Sequence, residues 1–322
     1  MSRVIAVCLA GGVLAMPALA QENAGAALQW LQKISSAAQR LTYSGVFVYQ
    51  NGNRGETSRI AHLVENNNES ERLEVLDGSP REIVRQNDEI RCFLPESKLL
   101  IIAHRNNRRS FPALLPKSMA GLTEFYQVRK GPPGRVAGID CQSIVIEPKD
   151  DNRYGHTLWF DPQSGLLLKE GLLNDRGETL EMVAFTEVRI GGPIEQDALR
   201  SRLESKTSGW QVFNVQSSDS RGDDGQWQFH VLPGFRRLSW LKQQMRPDAP
   251  EVTQVVFSDG LAGVSVFIEP ASGQEKIADN AFSMGAIGVY KRRIGDYQLV
   301  VMGDVPPPAL KRFAEGIELR KK

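Results

Sequence analysis

Residues 153–190 show the clearest pattern of hydrophobic and polar positions in the chain. Apolar runs are separated there by the turn sequences Asp-Pro-Gln-Ser-Gly and Asn-Asp-Arg-Gly. In the last run Leu180, Met182, Ala184 and Val188 share one side, which predicts a core face. The middle run has leucines on both sides, so apolar contacts are expected on both of its faces. The pattern predicts an antiparallel meander with strands at residues 156–160, 166–173 and 179–188.

Short apolar runs of the same kind continue on both sides of this meander, and Asn-Gly, Asp-Gly and Asn-Asp sequences mark the reversals. Residues 26–41 and 307–315 instead carry apolar side chains at helical spacing, and a weaker helical pattern covers 195–203. A Pro- and Gly-rich excursion at 106–134 contains a short predicted helix at 117–121. Further strands are predicted at 43–50, 57–64, 72–76, 81–85, 90–94, 99–104, 125–128, 135–137, 141–147, 235–245, 252–257, 263–269, 286–294 and 298–302.

The frequent turns and the lack of alternating strands and helices predict an α+β fold. We expect a large N-terminal domain, built as a curved antiparallel half-barrel around helices, and a smaller C-terminal α+β domain. The composition shifts toward Gly, Ser, Asp, Gln and Arg between the two. The predicted units are a signal peptide at 1–20, the large domain at 21–203, a linker at 204–226 and the C-terminal domain at 227–322.

The N-terminus has the features of a cleaved secretory signal. Arg3 is followed by an apolar run and by the small-residue sequence Ala18-Leu19-Ala20. Removing residues 1–20 takes one basic residue from 39 and leaves 38 against 38 acidic ones. A neutral, exported and soluble protein is expected, and nucleic acid is not an expected partner.

Cleavage would leave two cysteines, Cys92 and Cys141, in an oxidising compartment. A disulfide between them is the first interpretation, and it would stabilise the fold by roughly 4 kcal/mol. Two separate buried thiols are the alternative.

No catalytic signature stands out in the sequence. The four histidines lie far apart, and the familiar nucleophile, metal-protease and nucleotide-binding motifs are missing. We therefore predict a binding protein that is not an enzyme, with no cofactor and no metal site.

Three groups of residues are candidates for binding. The first would line an apolar cavity beneath a helix, although a filled core would give the same pattern: Phe47, Phe111, Leu114, Leu115, Phe125 and Trp159. The second would bind lipid phosphates, although an exposed polar loop is the alternative: Arg105, Arg108 and Arg109. The third would bind a protein partner, although a solvated strand face would look the same: Arg236, Arg237, Trp240, Tyr290, Arg292 and Arg293.

Several segments resemble the MucB/RseB family of periplasmic regulators of sigma-E/AlgU-type sigma factors, and the resemblance covers nearly the whole chain after residue 20. The segments that carry it are YSGVFVYQNG, LDGSPREIVRQNDEIRCFLPE, SFPALLPKS, RVAGIDCQSIVIEPKDDNRYGHTLWFDPQSGLLLKEGLLNDRGETLE, FSDGLAGVSVFIE and MGDVPPPALKRFAEGI.

The resemblance implies a large domain with the open-barrel fold of the lipoprotein carriers LolA and LolB. It also implies a periplasmic partner, the exposed part of a membrane-spanning anti-sigma factor, which the protein would shield from proteolysis until lipid or lipopolysaccharide relieves the protection. A periplasmic lipid or lipoprotein carrier is the alternative function. The sequence leaves a monomer and a homo-oligomer both open.

Overall fold

The computed structural model describes residues 16–104, 110–116, 118–215, 217–219, 225–244, 250–271 and 280–320. Within these ranges no helix combines the length and the hydrophobicity needed to cross a membrane. The predicted signal peptide lies largely outside them.

A single 13-stranded sheet forms the N-terminal domain, among the residues described. The two strands at its ends do not pair with each other, so the described sheet stays open. In chain order the elements are α1 (Met16–Arg40), β1 (Tyr43–Asn51), β2 (Arg54–Glu65), β3 (Asn68–Val75), β4 (Glu82–Gln86), β5 (Glu89–Leu94), β6 (Leu99–His104), α2 (Leu122–Phe125), β7 (Tyr126–Lys130), β8 (Gly134–Val136), β9 (Ile139–Pro148), β10 (Gly155–Phe160), β11 (Leu167–Leu173), β12 (Thr179–Ile190), α3 (Gln196–Leu199) and β13 (Gln211–Asn214).

The strand order is β13-β6-β5-β4-β3-β2-β1-β12-β11-β10-β9-β7, and β8 pairs with β9. All neighbours are antiparallel except β13, which runs parallel to β6. The predicted meander at 153–190 is present as β10, β11 and β12. Strand β13 lies inside the stretch expected to be a linker.

Helix α1 packs its apolar side on the sheet. Leu31 and Ile34 are 0% and 1% exposed, and burial of each stabilises the fold by roughly 1.5–3 kcal/mol. The Lys33 ammonium donates hydrogen bonds to the carbonyls of Pro162 and Gln163 in the β10–β11 turn, at 2.7 and 2.9 Å. These contacts fix the helix over one face of the sheet, which we name the inner face.

The prediction of which side of β12 faces the core was wrong for the first part of the strand, from Leu180 to Ala184. Val183 and Phe185 are the buried residues, whereas Leu180, Met182 and Ala184 are half-buried and point to the outer face.

A bulge in β12 explains this error. The register between β1 and β12 shifts after Val46, where Thr186 is the extra residue and donates its hydroxyl hydrogen bond to the Val46 carbonyl at 3.1 Å. Beyond the bulge Val188 and Ile190 pack against the core. The inner face therefore changes parity within one strand.

Two helix predictions also shift. Residues 118–121 are not helical, and the short helix α2 begins instead at Leu122. The weak helix expected at 195–203 is reduced to α3, and a short 3-10 helix follows at Glu204–Lys206.

The C-terminal domain has a seven-stranded antiparallel sheet, a helix and a two-stranded ribbon among the residues described. Its elements are β14 (Ser217–Asp219), β15 (Trp227–Phe229), β16 (Arg236–Gln244), β17 (Glu251–Ser258), β18 (Gly263–Pro270), β19 (Asn280–Met284), β20 (Ile287–Ile294), β21 (Tyr297–Gly303), α4 (Pro307–Glu315) and β22 (Ile317–Leu319). Helix α4, predicted at these residues, buries Leu310 and Phe313 against one face of the sheet. The predicted fold class, a large open antiparallel sheet with a smaller α+β domain, is confirmed.

The disulfide expected between Cys92 and Cys141 is not formed, and both thiols are free. Cys92 lies on β5 and Cys141 on β9, and the sheet order places β4, β3, β2, β1, β12, β11 and β10 between them. Adjacent strands are about 4.8 Å apart, whereas bridged cysteines need Cα atoms within about 7 Å. Sheet order thus explains why the thiols do not meet.

Candidate functional site

An aromatic cluster fills the inner face of the large sheet beside α1. The rings of Phe47 on β1, Phe185 on β12 and Phe111 from the excursion lie 5.0–5.9 Å apart between centroids. All three are at least nine-tenths buried. Ser35 of α1 donates a 2.6 Å hydrogen bond to the Pro116 carbonyl, which holds the excursion in place. This half of the inner face is a packed core.

The other predicted cavity residues lie in three different places. Leu115 is buried and Leu114 half-buried in the same core. Phe125 instead stacks under the Arg153 guanidinium, 4.7 Å from the ring centroid. Trp159 points to the outer face, because it pairs with Ser143 and carries the Lys169 ammonium 4.6 Å above its ring.

The inner face continues past β1 as a row of apolar side chains that neither α1 nor the described excursion buries. We name this row the apolar strip, and it consists of residues paired across five strands: Leu73, Ile83, Cys92, Ile101 and Phe213. Its first four members are half-buried and Phe213 is buried at the edge. Ile90, Leu94, Leu99 and Ala103 flank the strip on the same face and are half-buried as well. A continuous apolar surface therefore remains partly open to solvent.

The opposite, outer face of the same sheet is covered at β3 and β4. Phe93 is 1% exposed there, and Leu199 is buried where α3 contacts β3 and β2. Glu82 accepts hydrogen bonds from Arg72 at 2.8 Å and from the Ser201 hydroxyl at 2.6 Å, which ties the chain after α3 to the sheet. Nearer the edge of the sheet the outer face is apolar and partly accessible as well, because Leu100 and Ile102 are half-buried and Val212 is 51% exposed.

A charged row borders the apolar strip. His62, Glu71 and Arg85 are paired across β2, β3 and β4 on the inner face. The Arg85 guanidinium lies 3.2 Å from Glu71, and its Nε is buried without a hydrogen-bond partner among the residues described. The predicted phosphate-binding arginines Arg105, Arg108 and Arg109 lie outside the described residues.

The predicted partner-binding residues do not form one patch. Trp240 and Tyr290 are each 5% exposed and belong to the core of the C-terminal domain. Arg292 donates a 2.7 Å hydrogen bond to the Ala314 carbonyl at the end of α4. This bond connects β20 to the end of α4.

The remaining three arginines are accessible. Arg236 and Arg237 are exposed on β16, where the Arg237 guanidinium lies 5.5 Å from the Trp240 ring. Arg293 is half-buried and donates a 3.1 Å hydrogen bond to the Gly295 carbonyl. Of the predicted partner-binding residues, Arg236 and Arg237 are thus the two that are fully exposed, and both lie on β16.

A buried ion pair joins the two domains. The Arg153 guanidinium, which precedes β10, lies 2.8 Å from the Asp259 carboxylate in the β17–β18 turn, and neither side chain is exposed to solvent. Arg153 also donates a 2.6 Å hydrogen bond to the Pro233 carbonyl, and the Tyr126 hydroxyl donates one of 2.8 Å to Asp259. Breaking such a pair leaves a buried charge without its partner.

Two titratable side chains lie beside this pair, one from each domain. His156 Nδ1 is 2.9 Å from a Glu170 oxygen. Burial lowers the pKa of His156, but the hydrogen bond to Glu170 and the charges of Glu170, Asp304 and Asp259 outweigh burial and raise it. Burial raises the pKa of Asp304 to about 6, although the Gly263 N–H and the charge of His156 act in the opposite direction.

Two further polar contacts flank the junction. The Glu181 carboxylate accepts hydrogen bonds from Asn51 at 2.7 Å and from the Ala286 N–H of the β19–β20 turn at 2.6 Å. Gly285 has a φ of +71°, and a Cβ there would overlap Asn51. Arg312 of α4 donates a 2.7 Å hydrogen bond to Asn152. The C-terminal domain is thereby anchored at three points.

Comparison with protein families settles what this two-domain chain is related to. Residues 26–203 match the family model of the MucB/RseB N-terminal domain, and residues 221–318 match that of the MucB/RseB C-terminal domain. The chain belongs to the MucB/RseB family. The resemblance found in the sequence is therefore confirmed.

Other family members resemble the chain along almost its whole length. The sigma factor AlgU regulatory protein MucB of Pseudomonas aeruginosa is 30% identical, with 96% of this chain and 95% of that protein covered. The sigma-E factor regulatory protein RseB of Haemophilus influenzae is 25% identical, with 95% and 96% covered. The crystal structure of MucB in complex with MucA(peri) superposes with a TM-score of 0.72 at 27% identity, over 92% of this chain and 100% of that one. The curated relatives are regulatory proteins.

Reasoning from the sequence missed the apolar strip, Arg153 and Asp259. The apolar residues of β4, β5 and β6 are visible in the sequence, but the strand order that aligns some of them into one row is not. Nothing in the sequence signals that an arginine after the Asp150-Asp151-Asn152 turn pairs with an aspartate more than 100 residues later.

Proposed function

We propose that this member of the MucB/RseB family is a periplasmic regulator of a sigma factor. It would bind the periplasmic part of a membrane-spanning anti-sigma factor and shield it from regulated proteolysis. The observation that carries the proposal is the match to MucB over both domains, together with a crystal structure in which MucB is in complex with MucA(peri).

The arrangement of the two domains supports a binding role. Buried contacts join the two domains. The position of a partner-binding surface on the C-terminal domain therefore depends on the N-terminal domain. We propose that residues 227–322 make the main partner contact, that 204–226 connect the domains while contributing β13 to one sheet and β14 to the other, and that residues 1–20 are removed on export. Exposed Arg236 and Arg237 are the candidate cations for that contact.

Binding of the purified mature protein to the periplasmic segment of its cognate anti-sigma factor tests this proposal. Binding that also slows cleavage of the segment by its protease is expected. A complete lack of binding would contradict the proposal, and binding without protection would limit it to partner recognition.

We propose further that lipid or lipopolysaccharide binds the apolar strip and relieves the protection. Half-buried Ile83, Cys92 and Ile101 offer an apolar surface to an acyl chain, and Arg85, which is paired with Glu71 and Glu69, is a cation on the same face. Coupling requires that lipid favour one conformation of the protein over another. Titration with an acidic lipid, with and without the partner segment, measures that coupling.

The apolar strip also fits the alternative function, a lipid or lipoprotein carrier. A carrier would transfer a labelled lipoprotein between membranes, whereas a regulator would not. The strip supports lipid binding in both cases, so the transfer assay separates the two functions. Neither requires catalysis, and we propose that the protein is not an enzyme.

A further inference from the structure

Strand β13 forms one end of the large sheet and, among the residues described, pairs with a neighbour only on its β6 side. The N–H groups of Gln211 and Val215 donate hydrogen bonds of 2.9 and 2.8 Å to carbonyls of residues 98–102. Backbone groups of successive residues in a strand point to opposite sides. The N–H and C=O groups of Val212 and Asn214 therefore face away from β6 and form a free edge.

This free edge is open to solvent and carries no charge. Gln211, Val212 and Asn214 are all exposed. Natural sheets commonly protect an edge strand from further pairing with charged side chains, with proline or by keeping the strand very short. Strand β7, at the other end of the sheet, contains Arg129 and Lys130, whereas β13 has only its length of four residues as protection. Of the two ends, β13 is therefore the one suited to accept another strand.

The chemistry of the free edge selects a peptide in extended conformation. Outward N–H and C=O groups at every second residue are matched by the backbone of another strand. Side chains add a preference, because Val212 lies on the outer face with half-buried Leu100 and Ile102. On the inner face Phe213 of β13 belongs to the apolar strip. An extended segment with apolar side chains at alternate positions therefore fits this edge.

We propose that the free edge of β13 binds an extended segment of the anti-sigma partner by strand addition, as a contact separate from the one on the C-terminal domain. This inference rests on the proposed function, which supplies a polypeptide partner that is cleaved when it is not shielded. Each residue has one backbone donor and one backbone acceptor, so a segment that is hydrogen-bonded into a sheet cannot offer the same groups to a protease. Strand addition therefore shields the segment directly.

Val212→Pro in the mature chain tests the edge without removing a hydrogen bond of the fold. Proline eliminates the outward N–H and places its ring where the added strand would lie, while the pairing of the neighbouring residues with β6 remains. Binding of the cognate anti-sigma periplasmic segment should weaken at least about tenfold, because the segment loses a backbone hydrogen bond and meets the ring. Unchanged affinity would overturn the proposal.

Two matched variants separate backbone pairing from other effects, and urea unfolding checks that each is folded. Val212→Thr keeps the outward N–H and the branched shape of the side chain, so its affinity should stay within about twofold of the wild type. Lys130→Pro places proline at the free edge of β7, because the Gly131 N–H bonds to the Ser143 carbonyl and the Lys130 N–H faces away. It should bind as the wild type does. A tenfold loss in either control would overturn the assignment to the backbone of β13.

Amide hydrogen exchange in the wild type is a second measurement that needs no variant. The partner segment should slow exchange at Val212 and Asn214 at least about tenfold and leave Gln211 and Phe213, already paired with β6, unchanged. Slower exchange at raised protein concentration without the segment would assign the edge to a second copy of this chain and overturn the proposal. Binding that leaves both amides unprotected would remove β13 alone, whereas a wild type that binds no segment contradicts the proposed function itself.

Discussion

The two halves of the inner face of the large sheet differ sharply. Around β1, β12 and β11 it is covered by α1 and the excursion, and Phe47, Phe111 and Phe185 fill the space. Around β4, β5 and β6 the same face carries a comparable number of apolar side chains, but they remain half-buried. One sheet thus has a core half and an open half.

The contrast shows that hydrophobicity alone does not locate a binding surface. Two of the aromatic residues that the sequence marked as cavity-lining, Phe47 and Phe111, are packed in the core. The less conspicuous isoleucines and leucines of β4–β6 are left accessible. An open apolar surface on a folded domain is the feature that indicates a ligand.

The largest expected effect is on the core half. Phe47→Ala should lower the free energy of unfolding by about 3–5 kcal/mol, because it removes a nine-tenths buried ring from an aromatic cluster. Ile101→Ala, in the open half, should lower it by only about 1 kcal/mol, because the Ile101 side chain is already partly exposed to solvent in the folded protein. Urea unfolding of both variants measures the difference, and equal costs would erase the distinction between the halves.

The second prediction concerns lipid. Ile101→Glu should weaken binding of an acidic lipid at least tenfold, because it places a carboxylate in the apolar strip. Ile102→Glu is the matched control, since Ile102 is the next residue of β6, is also half-buried and faces the outer side. Fluorescence titration with labelled lipid gives both affinities. Equal losses in the two variants would place the lipid elsewhere.

Much of the fold follows from local sequence. The short apolar runs of β1 and β2, the Gly- and Asn-containing turns and the prolines that begin α4 suffice to predict those elements. The core face of β12 could not be predicted, because the bulge at Thr186 changes side-chain parity and leaves no compositional mark.

The sites were less predictable than the fold for a related reason. The apolar strip depends on the register of β3, β4, β5, β6 and β13, and β13 joins the sheet in parallel from a stretch with linker-like composition. The pair of Arg153 and Asp259 depends on how two domains dock. Such contacts are set by tertiary structure, which single-sequence patterns do not encode.

The third prediction separates partner binding from the open half. Arg236→Glu combined with Arg237→Glu should weaken binding of the anti-sigma segment about five- to tenfold by reversing two exposed charges, while lipid binding is unchanged. Arg129→Glu combined with Arg135→Glu, at exposed positions of the N-terminal domain, is the control. Surface-bound partner titrated with each variant provides the affinities. If the control pair weakens binding equally, the contact is not specific to β16.

The smallest expected effect concerns the two thiols, one in each half of the sheet. Cys92 lies in the apolar strip and Cys141 is buried in the core, and they are not bridged. A reducing agent should therefore change the melting temperature by less than about 1 °C. Loss of a bridge would remove roughly 4 kcal/mol and lower the melting temperature by several degrees. Such a drop in calorimetry would contradict the described separation of β5 and β9.

Calorimetric titration of the cognate anti-sigma periplasmic segment into the mature protein, without and with an acidic lipid, tests the central claim most directly. The account predicts binding that lipid weakens in the wild type but not in Ile101→Glu. Lack of binding in the absence of lipid, or an equal effect of lipid on both proteins, would contradict it.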